Sequence, residues 1–109
     1  MAIASYIQVG MVGLEFRPHF VDQDGSDLDI SAATTKTLRF TSPVGTSTDV
    51  TAGFLTTGTD GRLSYTTTAT TELDEYGEWE VQPYVSDGGG LQVWGPVYTF
   101  EVHENLDAP

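Results

Sequence analysis

A short acidic turn holds the densest group of side chains that could bind a metal ion. Four aspartates surround Gly25 within eight residues: Asp22, Asp24, Asp27 and Asp29. Calcium prefers hard oxygen ligands such as these carboxylates. The spacing differs from that of an EF-hand loop, because the glycine comes too early and no glutamate closes the far end. Since Asp-Gly is also an ordinary turn signal, we predict a solvated turn and keep the four carboxylates as a calcium candidate.

Side chains that could carry out catalysis are few. The sequence has two histidines, His19 and His103, no cysteine and no Gly-x-Ser-x-Gly nucleophile motif. Paired carboxylates could hydrolyse a glycosidic bond, but acidic residues are common along the whole chain and no long loop is available to form a cleft. The glycines at 88–90 lack the lysine and the strand-to-helix step of a phosphate loop. We therefore predict that the protein is not an enzyme and binds no cofactor.

Three aromatic residues are candidates for contact with another molecule: Tyr6, Tyr84 and Trp94. Trp94 stands next to a Gly95-Pro96 kink in the chain. A solvent-facing Trp and Tyr pair would form a platform for sugar rings or the centre of a protein interface. Packing in the core is the alternative, and the sequence leaves these explanations open.

The charge of the chain excludes two classes of partner. The chain has sixteen acidic and four basic residues, for a net charge of −12, and the basic residues are scattered along the sequence. Nucleic acids and anionic membrane surfaces are bound by clustered Lys and Arg, so we expect neither as a partner. No apolar run is long enough to span a bilayer, and the first fourteen residues lack the basic region of a signal peptide. We therefore expect a protein that is made in the cytoplasm.

Strands must position these side chains. The cleanest alternation runs from Val12 to Phe20 and predicts one strand, with Pro18 at an edge or a bulge. Another strand begins within residues 73–82 (LDEYGEWEVQ). Asp74 and Gly77 are turn residues. After the glycine, Trp79 and Val81 share one face of a period-two pattern, which is typical of a half-buried strand. Two packed sheets lie roughly 10 Å apart, and one buried Trp can bridge that gap. We therefore predict that Trp79 is the central residue of the core.

The same pattern recurs along the chain. Segments rich in Val, Thr, Tyr and Phe alternate with clusters of Gly, Asp, Ser and Pro, which is the rhythm of an all-β sandwich. No window has a sustained helical period, and only residues 30–34 could make a single helical turn. We predict one domain over residues 1–109, an antiparallel immunoglobulin-like β-sandwich of about seven to nine strands. A short N-terminal segment and a polar tail from about residue 103 to 109 flank it.

Several turn and core segments share a more specific pattern. They are residues 21–25 (VDQDG), 28–34 (LDISAAT), 38–40 (LRF) followed by Ser42-Pro43 and Gly45-Thr46, 58–65 (GTDGRLSY) and 73–82. Together they resemble a family of small immunoglobulin-like structural proteins of tailed bacteriophages. The chain is similar, from about Val9 to Val102, to the N-terminal domain of the baseplate upper protein of lactococcal phages.

The resemblance implies a function through contacts and not through chemistry. It implies a non-enzymatic structural protein of the virion, as a capsid decoration, neck, tail or baseplate component. Its expected partners are other phage structural proteins, in a symmetric multimer within the particle. The alternative is a carbohydrate-binding module that helps adsorption to a glycan of the host surface, and an exposed Trp94 and Tyr84 would favour it.

Overall fold

The computed structural model describes residues 7–104 of the protein, so Tyr6 and the ends of the chain lie outside the described residues. Within that range the chain forms nine strands and no helix, which confirms the all-β prediction for this part. The strands are β1 (Ile7–Gln8), β2 (Glu15–Phe16), β3 (Thr35–Thr41), β4 (Ser47–Thr51), β5 (Gly53–Phe54), β6 (Leu63–Thr66), β7 (Gly77–Ser86), β8 (Gln92–Trp94) and β9 (Tyr98–His103).

The nine strands form two sheets. The large sheet has the order β1-β9-β7-β3-β4, and β8 pairs with the end of β7. Since β3 occupies one side of β7 along Glu80–Ser86, β8 and β9 lie one after the other on its opposite side. The small sheet has the order β2-β6-β5. The long strand β7 is therefore the centre of the large sheet.

One pairing of the large sheet runs parallel. Strand β1 pairs with β9 in parallel, with Ile7 opposite Val102, whereas the other strand pairs are antiparallel. The prediction of a purely antiparallel sandwich is therefore wrong at this edge, and the large sheet is mixed. Alternation along a strand reports which face is buried, but it carries no information about the direction of the neighbouring strand.

The core lies between the inner faces of the two sheets. Phe16 of the small sheet is fully buried, and its ring meets that of Phe40 of the large sheet edge to face, with centroids 5.1 Å apart. Phe100 lies 5.2 Å from Phe16, and Trp79 stacks on Phe100 at 6.3 Å. Burial of a large apolar side chain contributes about 1.5–3 kcal/mol, so this aromatic cluster is a main source of the stability of the sandwich.

Two local predictions differ from the structure. The alternating stretch from Val12 to Phe20 forms only the short strand β2, and Val12 is 50% exposed. Gly13, with a positive φ, turns the chain before this strand, and Pro18 after it has no N–H for a ladder. Residues 30–34 form a turn and not a helical turn.

The chain crosses from the large sheet to the small one at Ala52. Strand β4 before it pairs with β3, and strand β5 after it pairs with β6. The methyl group of Ala52 is buried. This crossing joins the two sheets at one end of β4 and leaves the rest of that strand as an edge of the large sheet.

Candidate functional site

An exposed aromatic pair lies on the face of the large sheet that points away from the core. Tyr84 on β7 and Trp94 on β8 are directly opposite in register, and their ring centroids are 4.5 Å apart. Trp94 is 49% exposed and Tyr84 is partly exposed. Tyr84 faces outward because its neighbours Pro83 and Val85 point into the core. The two rings therefore form a ledge that is open to solvent.

A charged pair extends this ledge across the sheet. The guanidinium of Arg39 lies 5.1 Å from the ring centroid of Trp94, a distance at which a cation is attracted to the ring face. Its Nε donates to Asp49 Oδ1 at 2.8 Å and its Nη2 to Oδ2 at 3.1 Å. This bidentate hydrogen bond from Arg39 lowers the pKa of Asp49 and raises the pKa of Arg39. The two hydrogen bonds to Asp49 hold the guanidinium of Arg39 over the ring of Trp94.

The kink after Trp94 is also held in place. The side-chain Nε2 of Gln82 donates to the carbonyl oxygen of Gly95 at 3.0 Å. A Cβ on Gly95 would lie 2.7 Å from the ring of Pro83, so only glycine allows the chain to pass this close to β7. The exposed orientation of Trp94 is thus built into the backbone.

The far end of the same face is acidic. Glu78 and Glu101 lie directly opposite each other on β7 and β9, and both are exposed. Glu80 lies on the same face, two residues further along β7. Like charges directly opposite each other are destabilising, so a cationic partner on this face would relieve the repulsion.

A groove of about 290 Å³ opens between the two sheets beside β4; we call it the edge groove. Apolar side chains from both sheets and from the connection before β7 line its interior: Phe40, Val50, Tyr65, Leu73 and Trp79. Polar residues complete the lining: Ser42, Thr46, Thr48, Thr67, Thr71, Glu72, Asp74 and Glu75. No Lys, Arg or His of the described chain lines it.

Tyr65 and Glu72 form a hydrogen-bonded pair in the wall of the edge groove. The phenol of Tyr65 donates to Glu72 Oε1, and burial together with this carboxylate raises the pKa of Tyr65 to about 12. Glu72 Oε2 accepts from the backbone N–H groups of Thr68 and Ala69 at 2.6 and 2.9 Å. Burial opposes the charge of Glu72, but the hydrogen bonds outweigh it and its pKa is lowered.

The acidic turn distributes its carboxylates among separate local roles. Asp22 Oδ1 accepts from the N–H groups of Asp24 and Ser26, and Asp29 Oδ1 accepts from Ser31 N–H. Hydrogen bonding by the side chain of Ser31, and then by its backbone N–H, lowers the pKa of Asp29. Asp27 Oδ1 lies 2.8 Å from His19 Nε2. Among residues 7–104 the structure brings together no group of three or more His, Cys, Asp or Glu that could hold a metal ion.

The other candidate residues are scattered. The structure buries Trp79 in the core with 4% exposure, and Tyr6 lies outside the described residues. The Nε2 of His103 lies 3.5 Å from Glu101 Oε1. His103 is far from His19 in the sequence. The local sequence pattern does not predict the edge groove. Its only sequence signal is the set of five threonines at residues 66–71, interrupted by Ala69, which is also typical of a solvated loop.

Comparisons of the chain with protein-family models, with curated proteins and with solved structures return no match. Within residues 7–104, no helix is long and apolar enough to cross a membrane.

Proposed function

We propose that this protein is a non-enzymatic structural component of a tailed bacteriophage particle that acts through protein–protein contacts. The observation that carries the proposal is the exposed pair of Tyr84 and Trp94, with Arg39 fixed against it. Trp, Tyr and Arg are the residues that dominate binding energy at protein interfaces. The phage setting comes from the resemblance of the turn and core segments.

The sandwich in this proposal is immunoglobulin-like. The strand order β9-β7-β3-β4 opposite β2-β6-β5 supports this part of the proposal, because strands G, F, C and C′ face B, E and D in a variable-type domain. The hydrogen bond from Trp79 to the backbone four residues upstream supports this assignment, because it resembles the tyrosine corner of such domains. The domain limits at residues 1 and 109 stay a prediction.

The proposed setting makes the protein multimeric in place. Phage capsids, necks, tails and baseplates have rotational symmetry, so each copy would contact equivalent neighbours. The acidic surface would keep free copies apart before assembly, because a large net charge opposes self-association. A basic neighbour would then be attracted to the acidic end of the outer face of the large sheet, at Glu78, Glu80 and Glu101.

The first test is quantitative mass spectrometry of particles purified from the phage that encodes the chain. Hundreds of copies per particle would support a capsid decoration, and a small multiple of three or six would support a neck, tail or baseplate location. Absence from the particle would contradict the proposal.

A pair of variants tests whether the exposed pair of Tyr84 and Trp94 makes the contact with the neighbouring protein. We expect Trp94→Ala to reduce incorporation into particles at least about tenfold, since truncation of a central interface Trp costs about 2 kcal/mol or more. Val44→Ala is the matched control, because Val44 is 75% exposed in the β3–β4 turn and away from the pair. Equal incorporation of the two variants would show that another surface docks.

A carbohydrate-binding module is the second candidate function, favoured by the same open ledge of Tyr84 and Trp94. Aromatic faces stack on the apolar faces of sugar rings, and Arg39 could donate to sugar hydroxyls. A glycan array probed with the wild type and with Trp94→Ala tests it. Binding of a defined glycan that is lost in the variant would support this function, and binding to none would contradict it.

A further inference from the structure

We propose that the free edge of β4 and the edge groove beneath it together bind an extended peptide segment that carries a lysine. The segment would add a strand to the large sheet and place the lysine side chain in the groove. This site is separate from the aromatic pair, and the inference does not depend on the proposed function.

The ladder between β3 and β4 shows which backbone groups of β4 are available. Ala52 N–H donates to the carbonyl of Lys36 at 2.9 Å, and Ser42 N–H donates to the carbonyl of Thr46 at 2.9 Å. Hydrogen-bonded and non-bonded pairs alternate along an antiparallel ladder. The N–H and C=O groups of Ser47, Asp49 and Thr51 therefore point away from β3.

Strand β4 is the best template for pairing among the edge strands of the described chain. It is five residues long, whereas β8 has three residues and β1, β2 and β5 have two residues each. Natural edges are commonly protected by charged side chains, by Pro or by a very short strand. Strand β4 has no Pro, and its one charged residue, Asp49, is paired with Arg39 of β3. Within residues 7–104 its only strand partner is β3.

An added strand would aim alternate side chains into the edge groove. Thr48 and Val50 of β4 line the groove, and they lie opposite Phe40 and Leu38, which are core residues. Neighbouring residues across a sheet point to the same face. A residue of the added strand beside Thr48 would therefore point into the groove.

The lining of the groove selects the type of side chain. Its apolar interior accepts a hydrocarbon stem, and Glu72, Asp74 and Glu75 are the charged residues of its wall. Asp74 is exposed and Glu75 is partly exposed, so their carboxylates are accessible at the opening. Lysine combines a long apolar stem with a cationic end, and the net charge of −12 attracts such a partner from a distance.

The test is a titration of ¹⁵N-labelled protein with the blocked peptide Ac-Thr-Val-Thr-Lys-Thr-Val-Thr-NH₂, followed by NMR. We expect saturable shifts of the backbone amides at 47–51 and of the indole N–H of Trp79, which lies in the groove. The indole N–H of Trp94, on the outer face, should shift less than that of Trp79, because it is linked to β4 only through Arg39 and Asp49. Shifts confined to Trp94, or no saturable shift, would overturn the proposal.

Two peptide controls separate charge from burial. A peptide with norleucine in place of the lysine keeps the stem and loses the charge, and a peptide with glutamate reverses the charge. We expect affinity to fall several-fold for norleucine and further for glutamate. Equal affinity of the lysine and norleucine peptides would overturn the choice of lysine.

A matched pair of protein variants tests strand addition itself. Asp49→Pro and Asp49→Ala both remove the carboxylate, but only proline removes the N–H that points away from β3. We expect the proline variant to bind at least tenfold more weakly than the alanine variant, and equal binding would overturn strand pairing. If the proline variant does not fold, N-methylation of alternate backbone nitrogens of the peptide makes the same test. Two peptides are needed, one for each set of alternate residues. Unchanged binding of both peptides would overturn strand pairing.

Discussion

The indole Nε1–H of Trp79 donates a hydrogen bond of 2.9 Å to the backbone carbonyl of Glu75, four residues earlier. The same ring stacks on Phe100 in the core, with an angle of 18° between the ring planes. One side chain therefore connects the turn before β7 to the centre of the sandwich. It also forms part of the wall of the edge groove.

Replacing Trp79 with Phe should destabilise the fold. The change keeps an aromatic ring, removes the donor to Glu75 and leaves a space in the core. We expect a loss of about 2–4 kcal/mol in the free energy of unfolding, from the lost hydrogen bond and the cavity together. Urea denaturation followed by circular dichroism measures it. Trp94→Phe is the control, with an expected change below about 1 kcal/mol because Trp94 is half exposed; equal losses would contradict the role of Trp79.

Replacing Gly61 with Ala should be among the most damaging single changes to the fold. A Cβ at this position would lie 2.4 Å from the carbonyl oxygen of Phe20, and the φ of Gly61 is +73°. Gly25 has a similar φ of +83°, and a Cβ there would meet nothing within 4 Å, so Gly25→Ala isolates the backbone strain. We expect about 1–2 kcal/mol for Gly25→Ala and a clearly larger loss for Gly61→Ala in thermal unfolding. Equal losses would mean that the backbone near Phe20 yields to the methyl group.

The fold should lose stability at alkaline pH through Tyr65. Its pKa is raised to about 12 by burial and by Glu72, while that of an unfolded tyrosine is about 10. The contribution of the protonated phenol is therefore complete below about pH 10 and is lost as the pH rises towards 12. Compared by urea denaturation, Tyr65→Phe should be less stable than the wild type at about pH 8, and the difference should shrink above about pH 10. Tyr76→Phe, at a residue 62% exposed, is the control and should be about as stable as the wild type at about pH 8.

The fold should lose stability at acid pH through Glu72. Its pKa is lowered because the hydrogen bonds from Tyr65, Ala69 and Thr68 outweigh burial. The contribution is present above the unfolded value of about 4.5 and is lost as the pH falls through the lower folded value. Glu72→Gln should therefore be less stable than the wild type at about pH 7, with a difference that narrows below about pH 4. Glu78→Gln relieves the repulsion from Glu101, so at neutral pH it should be as stable as the wild type or more stable.

Much of the fold is readable from local patterns. The alternation after Gly77 predicts a strand with Trp79 and Val81 on one face, and the structure buries both. The turn signals at Asp24-Gly25 and Asp60-Gly61 lie where the chain turns. These features depend on neighbours a few residues apart, so the sequence alone contains the information. The parallel pairing of β1 with β9 cannot be predicted from local patterns, because it joins the two ends of the described chain.

The candidate sites depend on distant parts of the chain. Tyr84 and Trp94 could be named as interface candidates from sequence, but the position of Arg39 over Trp94 depends on the order of β8, β7 and β3. The edge groove forms where three distant features come together: the crossing at Ala52, the edge of β4 and the connection before β7.

By itself, the sequence determined the all-β class, the net negative charge, several turns and the inward-facing residues Trp79 and Val81 of β7. Each of these follows from side-chain type and from a period of two residues, which are local properties. Only the tertiary structure decided the order and direction of the strands, the exposed orientation of Trp94, the pairing of Tyr65 with Glu72 and the open edge of β4. Those depend on the packing of the two sheets against each other, because burial is a property of the whole fold.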